Sequence, residues 1–302
     1  LVGHAAAAIQ AGKCNVALIT MAGRPRAVGQ ATGTEKQNWP WDLPFAPFDV
    51  AVDWSILTIY GNYAMRHMHD FGTTPEQLAW IKVSASHHAQ HKPNARLRQV
   101  FTVEDVVNSR IVADPLHMLD CCVITDGGGG LVVTRPEIAR SLKRPRVKLR
   151  GHGETMKVNN GGMIDMSHSG AAISGPRAFE EARIKHADIK YASVYDNFTI
   201  MAMMQIEDLG FCKKGEGGKF VADGNLISGV GKLPFNTDGG GLCNNHPANR
   251  GGMTKVIEAV RQLRGEAHPK VQVKDCRLAL AQGIGGQLGN RHASATLIME
   301  RE

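Results

Sequence analysis

The sequence predicts an α/β protein in which sheets are covered by helices on both faces. Helix-like and strand-like segments alternate along most of the 302 residues. The strand-like segments are continuous apolar runs, which is typical of strands buried on both sides. The first helix and strand also look like a copy of the late helix TKVIEAVRQLRG and its following strand CRLALA. This internal similarity indicates two related halves.

The first half begins with an alanine-rich helix from about Gly3 to Gly12, which the second glycine ends, and continues into the strand NVALITMAG. From Arg24 to about Leu116 the regular alternation stops. This excursion contains the four tryptophans and the segment NWPWDLPFAPFD, whose proline spacing is typical of an ordered loop. We expect its helix PEQLAWIKVSASHHAQ to pack on the core sheet.

A glycine-rich strand closes the first half. The segment CCVITDGGGGLVVTRP predicts two strand halves bent around Asp126, because glycine inside a strand pattern marks a bend or a close backbone approach. The basic linker SLKRPRVKLRG follows. We therefore predict an N-terminal half at residues 1–140, with a loop excursion at about 24–116, and a C-terminal half at residues 141–302.

The second half repeats the alternation. Helix, strand and helix are predicted in GPRAFEEARIKHADIKYASVYDNFTIMAMMQIEDLGF, and a later amphipathic helix follows a glycine-rich connection. One face of that later helix carries Met253, Val256, Ile257, Val260 and Leu263. The closing strands are CRLALAQG and ASATLIME, joined by IGGQLGNRH.

Composition excludes several classes of protein. Apolar residues make up 43% of the chain, and no run approaches the roughly 18 residues that a membrane span needs. The net charge of +7 is spread along the chain without the basic and aromatic array of a nucleic-acid site. The six cysteines show no CxxC spacing and are expected to be reduced thiols. We expect a cytoplasmic protein with no membrane insertion and no nucleic-acid partner, acting on a phosphorylated small molecule.

The start of the chain shows no secretion signal. Its first residue is leucine, and LVGHAAAAIQAGKCNVALIT lacks the basic start and the cleavage site of a signal peptide. We therefore expect that the natural beginning of the protein lies upstream of Leu1.

One histidine among glycines is the first candidate functional residue. His246 lies in GGGLCNNHPANRGG, just before a helix whose first amides are free donors, so this turn can hold a carbonyl oxygen or a phosphate. The imidazole can add a hydrogen-bond donor, or a base near neutral pH. The alternative is a histidine that only contacts its neighbouring helix. The turn is neither a Walker A motif nor a dinucleotide-binding GxGxxG.

A tyrosine at a strand end is the second candidate. Tyr195, in VYDNF, is predicted at the carboxyl end of a strand, where α/β sheets present groups to ligands. Its hydroxyl can donate to an oxyanion or take a proton, although tyrosines at such positions are also common as amphipathic core residues. Asp196 and Asn197 have a similar ambiguity: each is either a candidate site residue or a helix cap, because an Asx residue before a helix usually caps it. The segment GIGGQLG, residues 283–289, predicts either an oxyanion pocket of backbone amides or a hairpin turn.

A group of histidines has the spacing of metal ligands. His87, His88 and His91 have no cysteine or carboxylate nearby in the sequence. We interpret them as a solvated helix face and predict no metal site.

Five motifs in register resemble the thiolase superfamily, most closely its sterol-carrier-protein-type or lipid-transfer branch. They are AAAAIQAGKCNVALITMAGRPR, DGGGGLVV, VYDNFT, GGGLCNNHP and GIGGQLG, which together span nearly the whole chain. The resemblance implies a thiolase-like fold of two similar halves in five layers, α-β-α-β-α. It also implies a homodimer whose loop excursion covers the active site.

The resemblance implies chemistry at an acyl-coenzyme A (acyl-CoA) thioester, in which a carbon–carbon bond beside the carbonyl forms or breaks. Such a reaction needs an oxyanion site and proton-transfer groups. By position, His246 is the histidine of the family's Gly-His-Pro motif, with Asn245 beside it as a substrate-binding residue. Phe198 matches a phenylalanine beside the pantetheine arm.

Two further glycines and the tyrosine complete the implied site. The backbone of Gly285 and Gly286 would bind the oxyanion together with His246. Tyr195 stands where many thiolases have asparagine and the sterol-carrier branch has histidine. CoA is implied as part of the substrate, and no tightly bound cofactor is expected.

The chain departs from the two-cysteine pattern of thiolases. Their nucleophilic cysteine would precede Leu1, and their second, acid–base cysteine is matched by Gly283, which cannot carry a proton. A tyrosine and a glycine at these positions are similar to aldolases that shorten steroid side chains with a small OB-fold, zinc-ribbon partner. We therefore expect a retro-aldol enzyme of fatty acid or steroid degradation. The alternatives are a thiolase or acyltransferase with an upstream cysteine, and a non-catalytic protein that binds acyl-CoA or lipid.

Overall fold

The computed structural model describes residues 1–32, 55–157, 165–286 and 292–302. The α-helices in these ranges are α1 (Val2–Gln10), α2 (Ile56–Phe71), α3 (Pro75–Ala89), α4 (Val103–Val107), α5 (Pro136–Arg140), α6 (Ala171–Ala182), α7 (Thr199–Asp208), α8 (Gly217–Val221) and α9 (Gly251–Arg264). The strands are β1 (Val16–Gly23), β2 (Ile111–Ala113), β3 (Leu116–His117), β4 (Gly127–Thr134), β5 (Val147–Lys157), β6 (Tyr191–Val194), β7 (Leu278–Gly285) and β8 (His292–Arg301). The proline-rich loop with Trp39, Trp41 and Trp54, and residues 287–289 of the last glycine-rich segment, lie outside the described residues.

Two sheets dominate the fold and confirm the predicted α/β class. In the small sheet, β1 pairs with β4 in antiparallel register from Val16 opposite Thr134 to Gly23 opposite Gly127. In the large sheet, the strand order is β5-β8-β7-β6, and only the pair of β6 and β7 is parallel. A short antiparallel pair, β2 and β3, lies in the excursion between β1 and β4.

Helices α1 and α9 lie between the two sheets. Helix α9 contacts β4 on one side and β6, β7 and β8 on the other. At Gly129 of β4 an added Cβ would overlap the Ile257 side chain, so the lack of a side chain lets α9 approach the small sheet closely. Helix α1 contacts β1 and β4, while its Gly3 abuts His152 of β5. The similarity between the first and the late helix in the sequence thus corresponds to equivalent places in the fold.

Helix α6 covers the other face of the large sheet. It packs on β5 and β8, and an added Cβ at Gly153 would overlap the Ser174 carbonyl oxygen. The described residues therefore form four successive layers: the small sheet, the helices α1 and α9, the large sheet, and α6. The outer face of the small sheet, where Leu18 and Val132 are exposed, carries no helix among the described residues.

The excursion contributes α2 and α3, each of which begins with a capping box, at Ser55 and at Thr74. Helix α3 corresponds to the predicted helix PEQLAWIKVSASHHAQ, and its main contacts among the described residues are with α4, α7, α8 and the turn Gly240–Asn244 rather than with a strand of either sheet. Every residue of α7 is buried. No helix in the described part of the chain is both long and apolar enough to cross a bilayer.

Candidate active site

Tyr195 and His246 lie in direct contact. Tyr195 follows β6 directly, and its backbone N–H continues the ladder by donating to the Gln282 carbonyl oxygen of β7 at 3.0 Å. Its hydroxyl oxygen lies 2.5 Å from Nε2 of His246, and each of the two residues is only 9% exposed. The structure thus brings together the two residues that the sequence singled out separately, 51 positions apart.

His246 is held in place by its backbone. Its N–H donates to Thr125 Oγ1 at 3.1 Å, and its carbonyl oxygen accepts the Thr125 N–H. Burial, reinforced by the positive charge of Lys255, lowers the pKa of His246 to about 4. The imidazole is therefore neutral at pH 7. Its Nδ1 atom is buried and has no hydrogen-bond partner among the described residues.

Asp196 joins the end of β6 to the turn before His246. Its carboxylate accepts the backbone N–H groups of Gly241 at 2.8 Å and Leu242 at 3.2 Å. It also accepts a hydrogen bond from Lys255 Nζ at 2.7 Å. The capping alternative for Asp196 is wrong, because α7 begins three residues later with Phe198 at the N-cap position.

Phe198 and Asn245 are close to this pair in the sequence, three residues after Tyr195 and one before His246. The Phe198 ring is buried and stacks on Tyr60, with 4.5 Å between the ring centroids. Asn245 directly precedes His246, and its Oδ1 atom is buried without a hydrogen-bond partner in the described part of the chain. A buried acceptor or amide without a partner is costly, so this side chain has unused hydrogen-bonding capacity beside the imidazole.

Gly283, Gly285 and Gly286 form the end of β7 and its exit. Gly283 follows the residue whose carbonyl binds the Tyr195 N–H, and an added Cβ at Gly283 or Gly285 would meet nothing within 4 Å. Gly286 has a φ of 75°, and its carbonyl oxygen accepts the Tyr60 hydroxyl at 3.4 Å. No described atom therefore occupies the space beside Gly283 and Gly285, and residues 287–291, which follow Gly286, lie outside the described ranges.

A cavity of about 530 Å³ reaches this space from between the two sheets. Its walls are mainly apolar, with Ile19 and Met21 from β1 and Met253 and Val256 from α9. It meets the site at Gly283, Gly285 and Lys255, whereas Tyr195 and His246 are not among its lining residues.

Neither Cys243 nor a metal centre offers a competing reactive group in the described ranges. Cys243, on the turn before His246, is fully buried, and burial raises the pKa of its thiol. No cluster of three or more potential metal ligands occurs among the residues that the structure describes. The interpretation of a solvated histidine face was wrong for His88, which is buried and accepts the Ser228 N–H at 2.9 Å through Nε2.

Sequence reasoning missed two members of the site, Thr125 and Lys255. Thr125 lies in the strand-like segment before the four glycines, and Lys255 lies on a helix with many charged residues. Neither position carries a local pattern that separates it from ordinary threonines and lysines. Their roles depend on contacts with residues that are far away in the sequence.

Comparison with known proteins places these features in a family. The profile described as "Thiolase C-terminal domain-like" matches residues 153–301. An acetyl-CoA acetyltransferase of Methanothermobacter thermautotrophicus is 36% identical over 77% of this chain and 61% of its own length. A steroid side-chain-cleaving aldolase of Thermomonospora curvata is 36% identical over 77% of this chain and 59% of its own length. The chain thus spans about three fifths of the length of these curated relatives.

A solved structure is similar over the whole chain. It is described as the Ltp2-ChsH2(DUF35) aldolase and superimposes with a TM-score of 0.84 at 30% identity. The similarity covers 99% of this chain and 76% of that one.

Proposed function

This chain belongs to the thiolase superfamily and has the thiolase-like fold, and from that premise we propose that it cleaves a carbon–carbon bond beside a CoA thioester by a retro-aldol reaction. The observation that carries the proposal is the buried contact between Tyr195 and His246 beside a glycine at position 283. This arrangement offers proton transfer without a second cysteine. The 36% identity to a steroid side-chain-cleaving aldolase supports the same reaction class.

The proposed substrate is a β-hydroxyacyl-CoA, and its cleavage needs no covalent acyl-enzyme intermediate. The Tyr195 oxygen takes the proton of the substrate hydroxyl while its own proton passes to His246 Nε2. The bond between Cα and Cβ then breaks, leaving a carbonyl product and a thioester enolate. Return of the proton through Tyr195 to Cα completes the reaction with all atoms balanced.

The enolate oxygen needs donors that are already in place. His246 Nδ1 is the first candidate because it is buried and otherwise unpartnered in the described residues. The backbone of Gly285 and Gly286 and the side chain of Asn245 complete the proposed oxyanion site. Phe198 is proposed to lie beside the pantetheine arm. CoA enters as part of the substrate, and a tightly bound cofactor is not expected.

A thiolase or acetyltransferase reaction is the second candidate, favoured by the 36% identity to an acetyl-CoA acetyltransferase. It would need a nucleophilic cysteine from outside this chain and another proton carrier in place of Gly283. A silent acyl-CoA or lipid-binding protein is the third, since sterol carrier protein 2 of Bos taurus is 29% identical over 75% of this chain and 43% of its own length.

The assembly and location are proposed on the same basis. We propose a cytoplasmic homodimer with N-terminal and C-terminal halves at 1–140 and 141–302. An OB-fold, zinc-ribbon partner is proposed because the similar solved structure is described with a second component, ChsH2(DUF35).

The test follows two substrates by mass spectrometry, using the protein with all residues that its gene encodes, alone and with its candidate partner. One substrate is a β-hydroxyacyl-CoA; the other is a β-ketoacyl-CoA with free CoA. Cleavage of the hydroxy substrate without free CoA is expected. Cleavage of only the keto substrate, and only with free CoA, would establish the thiolase reaction instead. Binding of either substrate without turnover would support the non-catalytic acyl-CoA- or lipid-binding protein.

A further inference from the structure

A buried ion pair lies directly behind the proposed catalytic residues. Asp196 and Lys255 are 1% and 2% exposed, and their Oδ1 and Nζ atoms are 2.7 Å apart. The desolvation of two buried charges commonly exceeds their attraction, so an apolar pair of similar size is often at least as stable. Stability alone therefore gives little reason for a charged pair at this place.

The acidic member connects the two chain segments that carry Tyr195 and His246. Asp196 follows Tyr195 in the chain, and its carboxylate binds two successive amides, those of Gly241 and Leu242. The contact is so close that an added Cβ at Gly240 would overlap the carboxylate. His246 follows this turn, so its position relative to Tyr195 depends on Asp196.

The basic member connects the same point to α9. Lys255 lies four residues after Gly251, on the same face of the helix. An added Cβ at Gly251 would lie 2.6 Å from the Tyr195 ring. One face of α9 therefore contacts Tyr195 at its first turn and Asp196 one turn later. Lys255 also borders the cavity that reaches Gly283.

We propose that Asp196 and Lys255 form a positioning pair, in which Asp196 holds Tyr195 against His246 and Lys255 supplies the positive charge beside the site where a thioester enolate forms. The catalytic part of this role rests on the proposed function. Neither residue touches the reacting atoms in this role: Asp196 acts through the positions of Tyr195 and His246, and Lys255 acts through its charge. The gain is electrostatic, because a fixed positive charge in a water-poor site stabilises developing negative charge without reorganisation.

The charge on Lys255 already affects the resting site, where it adds to burial in lowering the pKa of His246. Other charged groups surround the turn and must be kept constant in any test. Lys82 of α3 donates to the Leu242 carbonyl oxygen at 2.6 Å, and Asp238 accepts the Gly240 N–H at 2.9 Å. Glu258 of α9 accepts the Thr237 hydroxyl at 2.8 Å.

The test compares Lys255→Met with the double variant Asp196→Asn plus Lys255→Met. The single change leaves Asp196 buried without its partner, which is strongly destabilising and can prevent folding. The double variant removes both charges, while the asparagine oxygen can still accept an amide of the turn. Lys148→Met is the matched control, because it also removes a lysine of an ion pair, with Glu300, but an exposed one.

Two measurements are made on each folded variant. The first is the NMR titration of the His246 imidazole in the substrate-free protein, whose pKa should rise in the double variant and stay unchanged in Lys148→Met. The second is the cleavage rate, where kcat should fall on the order of tenfold to a hundredfold in the double variant with little change in KM.

An unchanged His246 titration together with an unchanged kcat in the folded double variant would overturn the proposal. The titration requires no substrate, so it separates this inference from the proposed reaction. A shifted titration in a protein whose wild type cleaves no β-hydroxyacyl-CoA would reject the retro-aldol reaction and retain the electrostatic coupling of Lys255 to His246.

Discussion

The Tyr195 hydroxyl is the single atom on which the proposed proton transfer depends. Tyr195→Phe removes it and leaves His246 Nε2 without its partner, at a stability cost of about 1–3 kcal/mol. We expect the cleavage rate to fall by roughly 10²–10⁴-fold, the usual contribution of a positioned acid or base. The rate is measured by loss of β-hydroxyacyl-CoA, and folding by thermal melting.

Tyr191→Phe is the control for this change. Tyr191 is also buried, begins the strand β6 that Tyr195 follows, and accepts the Thr237 N–H at 3.3 Å through its hydroxyl. We expect this variant to have a lower melting temperature but to keep its cleavage rate per folded molecule. Equal activity of the two variants would remove Tyr195 from the mechanism.

At the level of single residues, the sequence predicted those whose local pattern is unusual. Tyr195 at a strand end and His246 among glycines were both identifiable in this way. Asp196 remained ambiguous, because an Asx residue before a helix is usually a cap, and its partners lie 45 and 59 positions later in the chain. Contacts over such separations follow from packing, which no local pattern encodes.

At the level of elements, substitution by alanine at the start of α9 should impair activity at one glycine and be tolerated at the next. Gly251→Ala places a Cβ 2.6 Å from the Tyr195 ring, so the ring must shift away from its contact with His246. Gly252→Ala meets nothing within 4 Å and gains up to about 1 kcal/mol from better helix propensity. We expect kcat to fall in the first variant and thermal stability to rise in the second, measured by cleavage assays and melting curves. Equal kcat in both variants would contradict the described packing.

The type of most elements was predictable, and their ends and neighbours less so. The strand NVALITMAG became β1, and the late amphipathic helix became α9. By contrast, α6 begins at Ala171, before the predicted segment GPRAFEEARIKH, and Ser174 lies inside it, where its hydroxyl contacts Ser294 and Thr296 of β8. The close approach of α6 to Gly153 allows this contact. A glycine in a strand pattern does not indicate which helix will pack on it.

At the scale of the whole molecule, acid should destabilise the fold through three buried histidines. Burial is the largest cause that lowers the pKa values of His88, His246 and His292 to about 4. The unfolded chain therefore binds more protons between pH 6.5 and 4, and the free energy of unfolding should fall as the pH decreases through this range. Glu258 opposes this trend, because burial raises its pKa to about 7, so its contribution is lost as the pH rises from about 4.5 to 7. We expect the histidines to dominate in urea titrations at pH 4.5, 5.5 and 6.5.

His292 offers the sharpest test of this trend. Both of its ring nitrogens are buried without a hydrogen-bond partner among the described residues. His292→Met should reduce the pH dependence of the free energy of unfolding by the contribution of about one titrating group. It should cost little stability at pH 5. His69→Gln is the control, because the His69 side chain is 82% exposed. An unchanged pH dependence in His292→Met would show that His292 does not titrate as described.

The overall plan was predictable because the same pattern of helix and strand occurs twice. That repetition placed α1 and α9 in equivalent roles, and the structure finds both between the sheets. The relative size of the sheets was not predictable, since among the described residues β1 and β4 form a pair while the later strands form a sheet of four. Strand number depends on pairing over long separations, for which apolar runs give no register.

The turn Gly240–Asn244 has a consequence for how this protein moves. Glycine-rich loops usually fluctuate, yet all five residues here are buried, and the amides of the first four are bound by Asp238, Asp196 and Gly239. Its amide hydrogens should therefore exchange with deuterated water as slowly as those of β6 and β7, reporting global rather than local opening. The segment before His246 would then be as rigid as the strands of the large sheet. Any local opening that admits a substrate would have to occur elsewhere in the molecule.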